Sequence, residues 1–284
     1  MKIAFFGTPE IASIVLEELK IANIIPNLII TNPDAPVGRK QILTPPPVKI
    51  WAQNQSIPVT QPLSLKNPDL LPEITDQEWD LFIVVAYGKI IPNWLLAKPK
   101  FGTINVHPSL LPKLRGASPI RSAILNDIKD TGVTIMLMDE ELDHGPILYQ
   151  EKTPIADELW PIDGQELDKI MAHQGGRVLA KIIPDYIQGR VSLTPQNHSQ
   201  ATFCTKITKD MSEITIDPYS LPEGEVAHKI LLKIRAFAGW PETFFIHNGK
   251  RYKIKQAKIS NNKLEILRVV PEGKTETDFS LCFR

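Results

Sequence analysis

A segment at 81–87, LFIVVAY, constrains the fold of this 284-residue chain more than any other. It is continuously apolar and rich in β-branched side chains, which is the pattern of a strand buried on both faces. Such strands lie in the middle of parallel sheets whose two faces are covered by helices. We therefore expect an α/β sheet with this segment at its centre.

The segments around this strand alternate between strand and helix patterns. An apolar run at 2–6 is followed by an amphipathic stretch to about Lys20, with Thr8 as the expected N-cap and Pro9 at the first helical position. The alternation predicts a Rossmann-like, open and mostly parallel sheet. Further strands are predicted at 28–31, 102–107, 132–138 and 147–152, and helices at 47–55, 118–126 and 165–187.

A polar stretch without periodicity divides the chain. We predict an N-terminal domain at 1–187, a linker at 188–204 and a C-terminal domain at 205–284. The last domain has strand-like segments that a small OB-like β-barrel accommodates. They lie at 243–247, 252–259 and 264–269, after a predicted helix at 223–236.

Charge is balanced over the whole chain, with 32 basic and 32 acidic side chains. No net field therefore selects nucleic acid or an acidic membrane. The segment 205–284 is nevertheless basic, with 14 Lys and Arg residues against 10 Asp and Glu residues. We expect a contact with phosphates in this segment.

The cysteine content and the apolar segments bear on the compartment. Cys204 and Cys282 cannot form a disulfide framework, which favours a reducing, cytoplasmic setting. Gly7 and Pro9 interrupt the first apolar run too early for a signal sequence. No apolar stretch approaches the roughly 18 residues of a membrane span. We expect a soluble protein that does not contact a membrane.

Asn105 and His107 are the first candidates for chemistry. They are two residues apart on a predicted strand, so their side chains leave the same face at its C-terminal end, where open α/β sheets bind ligands. An Asn amide can donate to a developing oxyanion, and an imidazole can move protons near neutral pH. Taken alone, the pair also fits a histidine that fixes a strand end through a backbone hydrogen bond.

Two longer motifs extend this pair. Residues 105–116, NVHPSLLPKLRG, and residues 142–148, LDHGPIL, resemble the signatures of folate-dependent formyltransferases. The resemblance implies catalytic roles for Asn105, His107 and Asp143 and no metal. It also implies folate contacts at two segments, with the residues Ser109, Leu110, Leu111 and Pro112, and Ala86, Tyr87, Gly88, Ile90 and Ile91.

Within that family, the chain is most similar to the branch that acts on methionyl-tRNA. The similarity includes residues 6–10, 32–34, 38–40, 45–49, 84–88, 121–124, 206–209 and 235–241. It implies transfer of the formyl group of 10-formyltetrahydrofolate to the amino group of methionyl initiator tRNA. We expect the protein to be a monomer. The C-terminal domain is expected to be shorter than is usual in that branch.

Two groups of cations are predicted to contact the tRNA. The resemblance makes the proline-rich loop with Arg39 and Lys40 an element that enters the acceptor end of the tRNA. Arg251, Lys253 and Lys255 alternate along a predicted strand, so their side chains leave one face and can bind phosphates without reading sequence. By itself, this second pattern is also typical of a solvated strand face.

Two other functions remain open at this point. A nucleotide-sugar N-formyltransferase shares the Asn, His and Asp motifs, although the loop at 33–49 resembles the tRNA enzymes instead. A tRNA-binding module with an inactive transferase domain is the other alternative, and the intact Asn105, His107 and Asp143 disfavour it. Residues 7–9 do not match a dinucleotide fingerprint, so a nicotinamide cofactor is not expected.

Overall fold

A computed structural model describes residues 1–38 and 40–283. The chain forms two compact units. The first comprises 1–116, 132–153 and 169–203, and the second comprises 117–131, 154–168 and 204–284. Folding of 1–187 and 205–284 as separate domains, joined by a linker at 188–204, stays a prediction.

The described residues form fifteen strands, seven α-helices and a few 3₁₀ turns. The strands are β1 Ile3–Gly7, β2 Leu28–Ile30, β3 Ala35–Val37, β4 Ile42–Thr44, β5 Val59–Thr60, β6 Leu81–Val85, β7 Thr103–His107, β8 Arg115–Gly116, β9 Gly132–Leu137, β10 Ile147–Lys152, β11 Phe203–Cys204, β12 Phe244–His247, β13 Lys250–Ser260, β14 Lys263–Pro271 and β15 Thr277–Asp278. The helices are α1 Glu10–Ile21, α2 Pro47–Asn54, α3 Pro72–Thr75, α4 Asn93–Leu96, α5 Pro119–Leu125, α6 Gly164–Ile187 and α7 Gly224–Ala236.

The first unit is built on a seven-stranded sheet of order β10-β9-β7-β6-β1-β2-β5. The strands from β5 to β7 in this order are parallel, and β9 and β10 are antiparallel. All five residues of β6 are buried, and β6 pairs with β1 on one side and β7 on the other. The predicted mostly parallel sheet is confirmed, with the segment at 81–85 in its interior.

The start of α1 differs from the prediction. Pro9 is the residue before the helix, in an extended conformation, and no side chain caps the helix, so Thr8 is not its N-cap. The Thr8 hydroxyl instead lies 3.4 Å from the Tyr87 carbonyl oxygen and 3.4 Å from the Asn32 backbone nitrogen. The side chain therefore joins the loops that follow β1, β2 and β6.

Two glycines in α6 let the helix pack closely, Gly175 against β7 and Gly176 against α1. A Cβ at Gly175 would lie 2.7 Å from a methyl of Val106, and a Cβ at Gly176 would lie 2.5 Å from the Cβ of Glu18. Both distances are shorter than any side chain tolerates, so only glycine allows this approach. The helix thus supports β7 at the residue between Asn105 and His107.

The second unit contains a four-stranded antiparallel sheet of order β12-β13-β14-β15. Helix α7 covers it with a shared apolar core that includes Leu231, Phe245 and Val269. The predicted strands at 243–247, 252–259 and 264–269 are thus present, and they pair as an antiparallel sheet. The register of β13 against β14 shifts between Ile254 and Ala257, both of which are buried, so the simple alternation assumed from the sequence ends there.

Helices that could cross a membrane are absent from the described residues, because none of them is both long and apolar enough.

Candidate active site

Asn105 and His107 lie at the end of β7, as the sequence predicted. Asn105 is half-buried and lies beside Val84 of β6 and Met136 of β9. His107 is the last residue of the strand and is only 3% exposed. Their side chains leave the same face of the sheet, two residues apart.

The two ring nitrogens of His107 have different partners. Nε2 lies 3.0 Å from the carbonyl oxygen of Leu114. A carbonyl oxygen only accepts hydrogen bonds, so Nε2 carries the ring proton and donates it. Nδ1 lies 3.6 Å from Oδ1 of Asp143, which is beyond hydrogen-bond distance. In the neutral ring, Nδ1 is therefore the nitrogen that can take up a proton.

Asp143 belongs to the loop between β9 and β10. Its Oδ2 accepts a hydrogen bond of 2.7 Å from the backbone nitrogen of Gly116. The loop leaves β9 at the opposite end of β7, where the Met138 nitrogen donates to the Thr103 carbonyl at 2.8 Å. From there the loop runs back along the length of β7, a distance of roughly 13 Å between its first and last residues, and this brings Asp143 beside His107.

The first segment predicted to contact folate, 109–112, makes several hydrogen bonds to other residues of the protein. The Ser109 hydroxyl donates to the Lys113 carbonyl at 2.6 Å, and the Ser109 carbonyl accepts from the Thr134 hydroxyl at 2.6 Å. The Gln150 amide donates to the Leu111 carbonyl at 2.7 Å. The side chains of Ser109 and Leu111 are buried, whereas Leu110 and Pro112 are partly exposed.

The second predicted folate segment, 86–91, is more open. Ile90 is 92% exposed, while the side chains of Tyr87 and Ile91 lie in the apolar core. The Tyr87 hydroxyl has no hydrogen-bond partner in the described residues, and burial raises its pKa to about 12. Ala86 and Gly88 have positive φ angles and are exposed. The loop therefore offers the Ile90 side chain and backbone atoms, but not the phenol.

Two polar residues near Asp143 had no predicted role. Arg115 lies within the motif at 105–116, but nothing in the motif indicated what its side chain contacts. Gln196 lies in the segment predicted as a linker. Both are buried, and the Gln196 amide donates to the backbone carbonyls of Asp143 and Gly145 at 2.9 Å and 2.7 Å.

The loop predicted to enter the tRNA contains a small hairpin. Strands β3 and β4 pair through Ala35 with Thr44 and Val37 with Ile42. Lys40 is exposed in the turn between them. Arg39 lies outside the described residues.

The positive charge of the basic strand, which is β13 with Arg251, Lys253 and Lys255, is partly neutralised. Lys253 and Lys255 both form ion pairs with Glu242, the second at 2.6 Å. Burial acts to raise the pKa of Glu242, but the two ammonium groups outweigh it and hold the pKa below its ordinary value. The Arg251 guanidinium lies 5.6 Å from the centre of the Phe244 ring. Of the three cations predicted to bind phosphate, only Arg251 lacks an ion pair with Glu242.

Metal ligands are not clustered in the part of the chain that the structure describes. No group of three or more His, Cys, Asp or Glu side chains there could hold an ion.

Known proteins resemble this chain over most of its length. Residues 1–183 match the formyl transferase family model, and residues 225–276 match the model of the formyl transferase C-terminal domain. A methionyl-tRNA formyltransferase of Halalkalibacterium halodurans is 43% identical over 266 residues, which are 93% of this chain and 81% of that protein.

Solved structures share the fold. An N-formyltransferase from Helicobacter canadensis, in complex with folinic acid and dTDP-3-aminofucose, matches with a TM-score of 0.65 and 21% identity, over 92% of this chain and 88% of that one. A methionyl-tRNA formyltransferase from Clostridium thermocellum matches with a TM-score of 0.60 and 18% identity, over 95% of this chain and 98% of that one. At these identities the likeness concerns the fold alone.

Proposed function

Because this chain belongs to the formyl transferase family, we propose that it formylates methionyl initiator tRNA for translation initiation. The formyl donor is 10-formyltetrahydrofolate, and the acceptor is the amino group of the methionyl residue. One observation supports the proposal most: Asp143 lies 3.6 Å from His107, on the strand that also holds Asn105, in a chain 43% identical to a methionyl-tRNA formyltransferase.

The first step needs a neutral amine. An α-amino group titrates near pH ~8, so a large fraction is protonated at neutral pH and a nearby proton acceptor helps. The amine nitrogen attacks the formyl carbon, a C–N bond forms, and the formyl oxygen becomes an oxyanion. The Asn105 amide donates a hydrogen bond to this oxyanion, which lowers the barrier because the charge develops only in the transition state.

His107 transfers the proton. Its Nδ1 accepts the proton that the attacking amine loses, while Nε2–H remains bonded to the Leu114 carbonyl. The Asp143 carboxylate, 3.6 Å from Nδ1, stabilises the imidazolium by its charge. His107 then returns the proton to folate N10 as the bond between N10 and the formyl carbon breaks. The products are the formylated amine and tetrahydrofolate.

The folate lies between the loop at 86–91 and the turn at 109–112 in this proposal. Backbone atoms of Gly88 and the Ile90 side chain are free to contact a pteridine, and Leu110 is partly exposed on the other segment. A pteridine needs backbone donors and acceptors between apolar walls, and these residues supply both. The Helicobacter canadensis protein, which holds folinic acid, has the same fold.

The enzyme acts in the cytoplasm, where aminoacyl-tRNA is made. We expect it to act as a monomer. Arg39 and Lys40 contact the acceptor end of the tRNA, and Arg251, Lys253 and Lys255 contact its phosphates.

The choice of acceptor tests the function. The protein is incubated with 10-formyltetrahydrofolate labelled in the formyl group and, in separate reactions, methionyl initiator tRNA or an amino-sugar nucleotide. We expect label in the tRNA as an amide of methionine. Label in the sugar alone would show that the protein is a sugar N-formyltransferase instead.

Arg39→Ala is expected to lower kcat/KM for methionyl-tRNA about tenfold or more, because a guanidinium can bind phosphate or stack on an unpaired base. Folate binding should not change. The measurement compares methionyl-tRNA with a short methionyl amine, and Lys66→Ala, an exposed cation elsewhere in the same unit, is the control. An equal loss with the short amine would mean that the loop serves the active site and not recognition.

Replacing Arg251, Lys253 and Lys255 together with Ala is expected to weaken tRNA binding. The slope of log affinity against log salt should decrease by about one for each phosphate that the variant no longer neutralises. Arg251 should account for the larger share, because Glu242 already neutralises part of the lysine charge. Turnover at saturating tRNA should stay close to that of the wild type.

The control for this variant removes three other cations of the second unit, each of which has an acidic partner. They are Lys229, Lys258 and Lys263, paired with Glu225, Glu265 and Glu223. An unchanged salt slope in the first variant would identify the basic strand as a solvated face.

A further inference from the structure

The Gln196 amide makes four hydrogen bonds, two to the loop that holds Asp143 and two with Arg115. Its Nε2 donates to the carbonyl oxygens of Asp143, at 2.9 Å, and Gly145, at 2.7 Å. Its Oε1 accepts from Nη2 of Arg115 at 2.6 Å and from Nε at 3.2 Å. Two donors and two acceptor sites are all that a Gln side chain has, so every one is used.

Arg115 fixes the orientation of this amide. A guanidinium only donates, so the atom that faces it must be the Gln196 oxygen, and the nitrogen must face the two carbonyls. Arg115 is 4% exposed, and in the described residues its guanidinium lies in hydrogen-bond contact with the Gln196 amide oxygen and with Nδ1 of the His198 ring, the latter at 2.9 Å. A buried charge is costly unless it is well bonded, and bonds to a charged donor are stronger than neutral ones.

The same segment holds the loop at two further points. The His198 ring stacks on the His144 ring with the centres 4.1 Å apart and an angle of 9° between the planes. Thr194 and Ile147 exchange two backbone hydrogen bonds, at 2.8 Å and 2.9 Å. Residues 194–198 thus lie along residues 143–147 from end to end.

Asp143 itself makes few contacts that fix its position. Its φ of 49° lies in the left-handed region, which is uncommon for most residues other than glycine but is tolerated by aspartate. Its carboxylate has one direct hydrogen bond within the described residues, from Gly116, and it lies 3.6 Å from His107 without bonding to it. The side chain alone therefore does not fix the distance to His107.

We propose that Gln196, oriented by Arg115, is a positioning residue that holds Asp143 beside His107 during formyl transfer. The proposal rests on the proposed function, because it assigns Asp143 to the reaction. We call the two hydrogen bonds from Gln196 to the Asp143 and Gly145 carbonyls the anchor. A displacement of about 1 Å at a reacting group can lower the rate about 100-fold, so loss of the anchor is expected to lower turnover.

The test is Gln196→Glu. A carboxylate of the same length still accepts from Arg115, but it cannot donate to the Asp143 and Gly145 carbonyls. We expect kcat to fall about 10- to 100-fold, with KM for folate and for tRNA nearly unchanged.

Gln200→Glu makes the same chemical change at an exposed position of the same segment, and should have wild-type kinetics. Gln196→Met, which adds no charge, should behave as Gln196→Glu.

A double variant separates positioning from a general structural role. If Gln196 acts through Asp143, adding Gln196→Glu to Asp143→Asn should slow the reaction no further. The proposal would be overturned if the double variant lost the product of the two single-variant rate reductions. A change confined to KM, or near-wild-type kcat in both Gln196 variants, would also overturn it.

Crystal structures of the variants test the role of Gln196 without relying on activity, so failure of this proposal can be told apart from failure of the proposed function. If wild-type protein does not formylate methionyl-tRNA, the function is wrong, and the anchor is judged by geometry alone. Loss of the bond between Asp143 Oδ2 and the Gly116 nitrogen in Gln196→Glu, but not in Gln200→Glu, would support the anchor. An unmoved Asp143 would reject it.

Discussion

Asp143→Asn is expected to lower kcat at least ~100-fold, the usual scale for loss of an orienting or proton-transfer group, while the protein stays folded. The amide oxygen of Asn can still accept from the Gly116 nitrogen, so the loop keeps its side-chain contact. The negative charge beside His107 is removed, and the imidazolium formed during the reaction no longer has its stabilising partner. Steady-state kinetics with methionyl-tRNA and a thermal unfolding scan measure the two effects.

The control for this change is Glu141→Gln. It removes one negative charge from an exposed position of the same loop and should leave kcat within about twofold of wild type. If Asp143→Asn also kept near-wild-type turnover, Asp143 would have no part in the mechanism.

His107→Gln is the second variant with a large expected effect. Its amide can donate to the Leu114 carbonyl in place of Nε2–H, but it cannot take up a proton, so we expect kcat to fall at least ~100-fold. His107→Ala should reduce kcat at least as much. Binding of folate, measured by quenching of fluorescence, should persist in the Gln variant.

His173→Gln makes the same substitution at a half-exposed histidine that pairs with Glu18, and its turnover should match that of the wild type. Retention of activity in both His107 variants would assign proton transfer to another group or to water.

The central sheet could be predicted because its signal is local. The residues of β6 are apolar in an unbroken run, and such a run has few alternatives to a doubly covered strand. The strand pair was predicted at 132–138 and 147–152, and β9 and β10 lie at Gly132–Leu137 and Ile147–Lys152. The hairpin of β3 and β4 was missed, because the prolines from 33 to 47 indicate a loop.

Other features depended on tertiary contacts that no local pattern carries. The Thr8 hydroxyl had an ordinary capping position, but it contacts the loops after two neighbouring strands instead. Lys253 and Lys255 have the pattern of free charges in the sequence, but both pair with Glu242, which precedes them on another segment. The shift of register in β13 could not be inferred from alternation alone.

The candidate site was predictable only in part for the same reason. Asn105 and His107 share a strand, so their common face follows from spacing. Asp143 was predicted as a catalytic residue only because its motif resembles that of the family. Its distance of 3.6 Å from His107 is known only from the structure. Gln196 lies 53 positions from Asp143 and 81 from Arg115, and a neutral amide in a polar stretch gives no local signal.

The most direct measurement is a single-turnover reaction with enzyme in excess, 10-formyltetrahydrofolate labelled in the formyl group, and methionyl initiator tRNA. It separates binding from chemistry. We predict that wild-type protein moves the label stoichiometrically to the methionyl amine, and that Asp143→Asn binds both substrates with unchanged affinity but reacts at least ~100-fold more slowly. Absence of labelled tRNA with the wild type, or equal rates for the two proteins, would contradict the account.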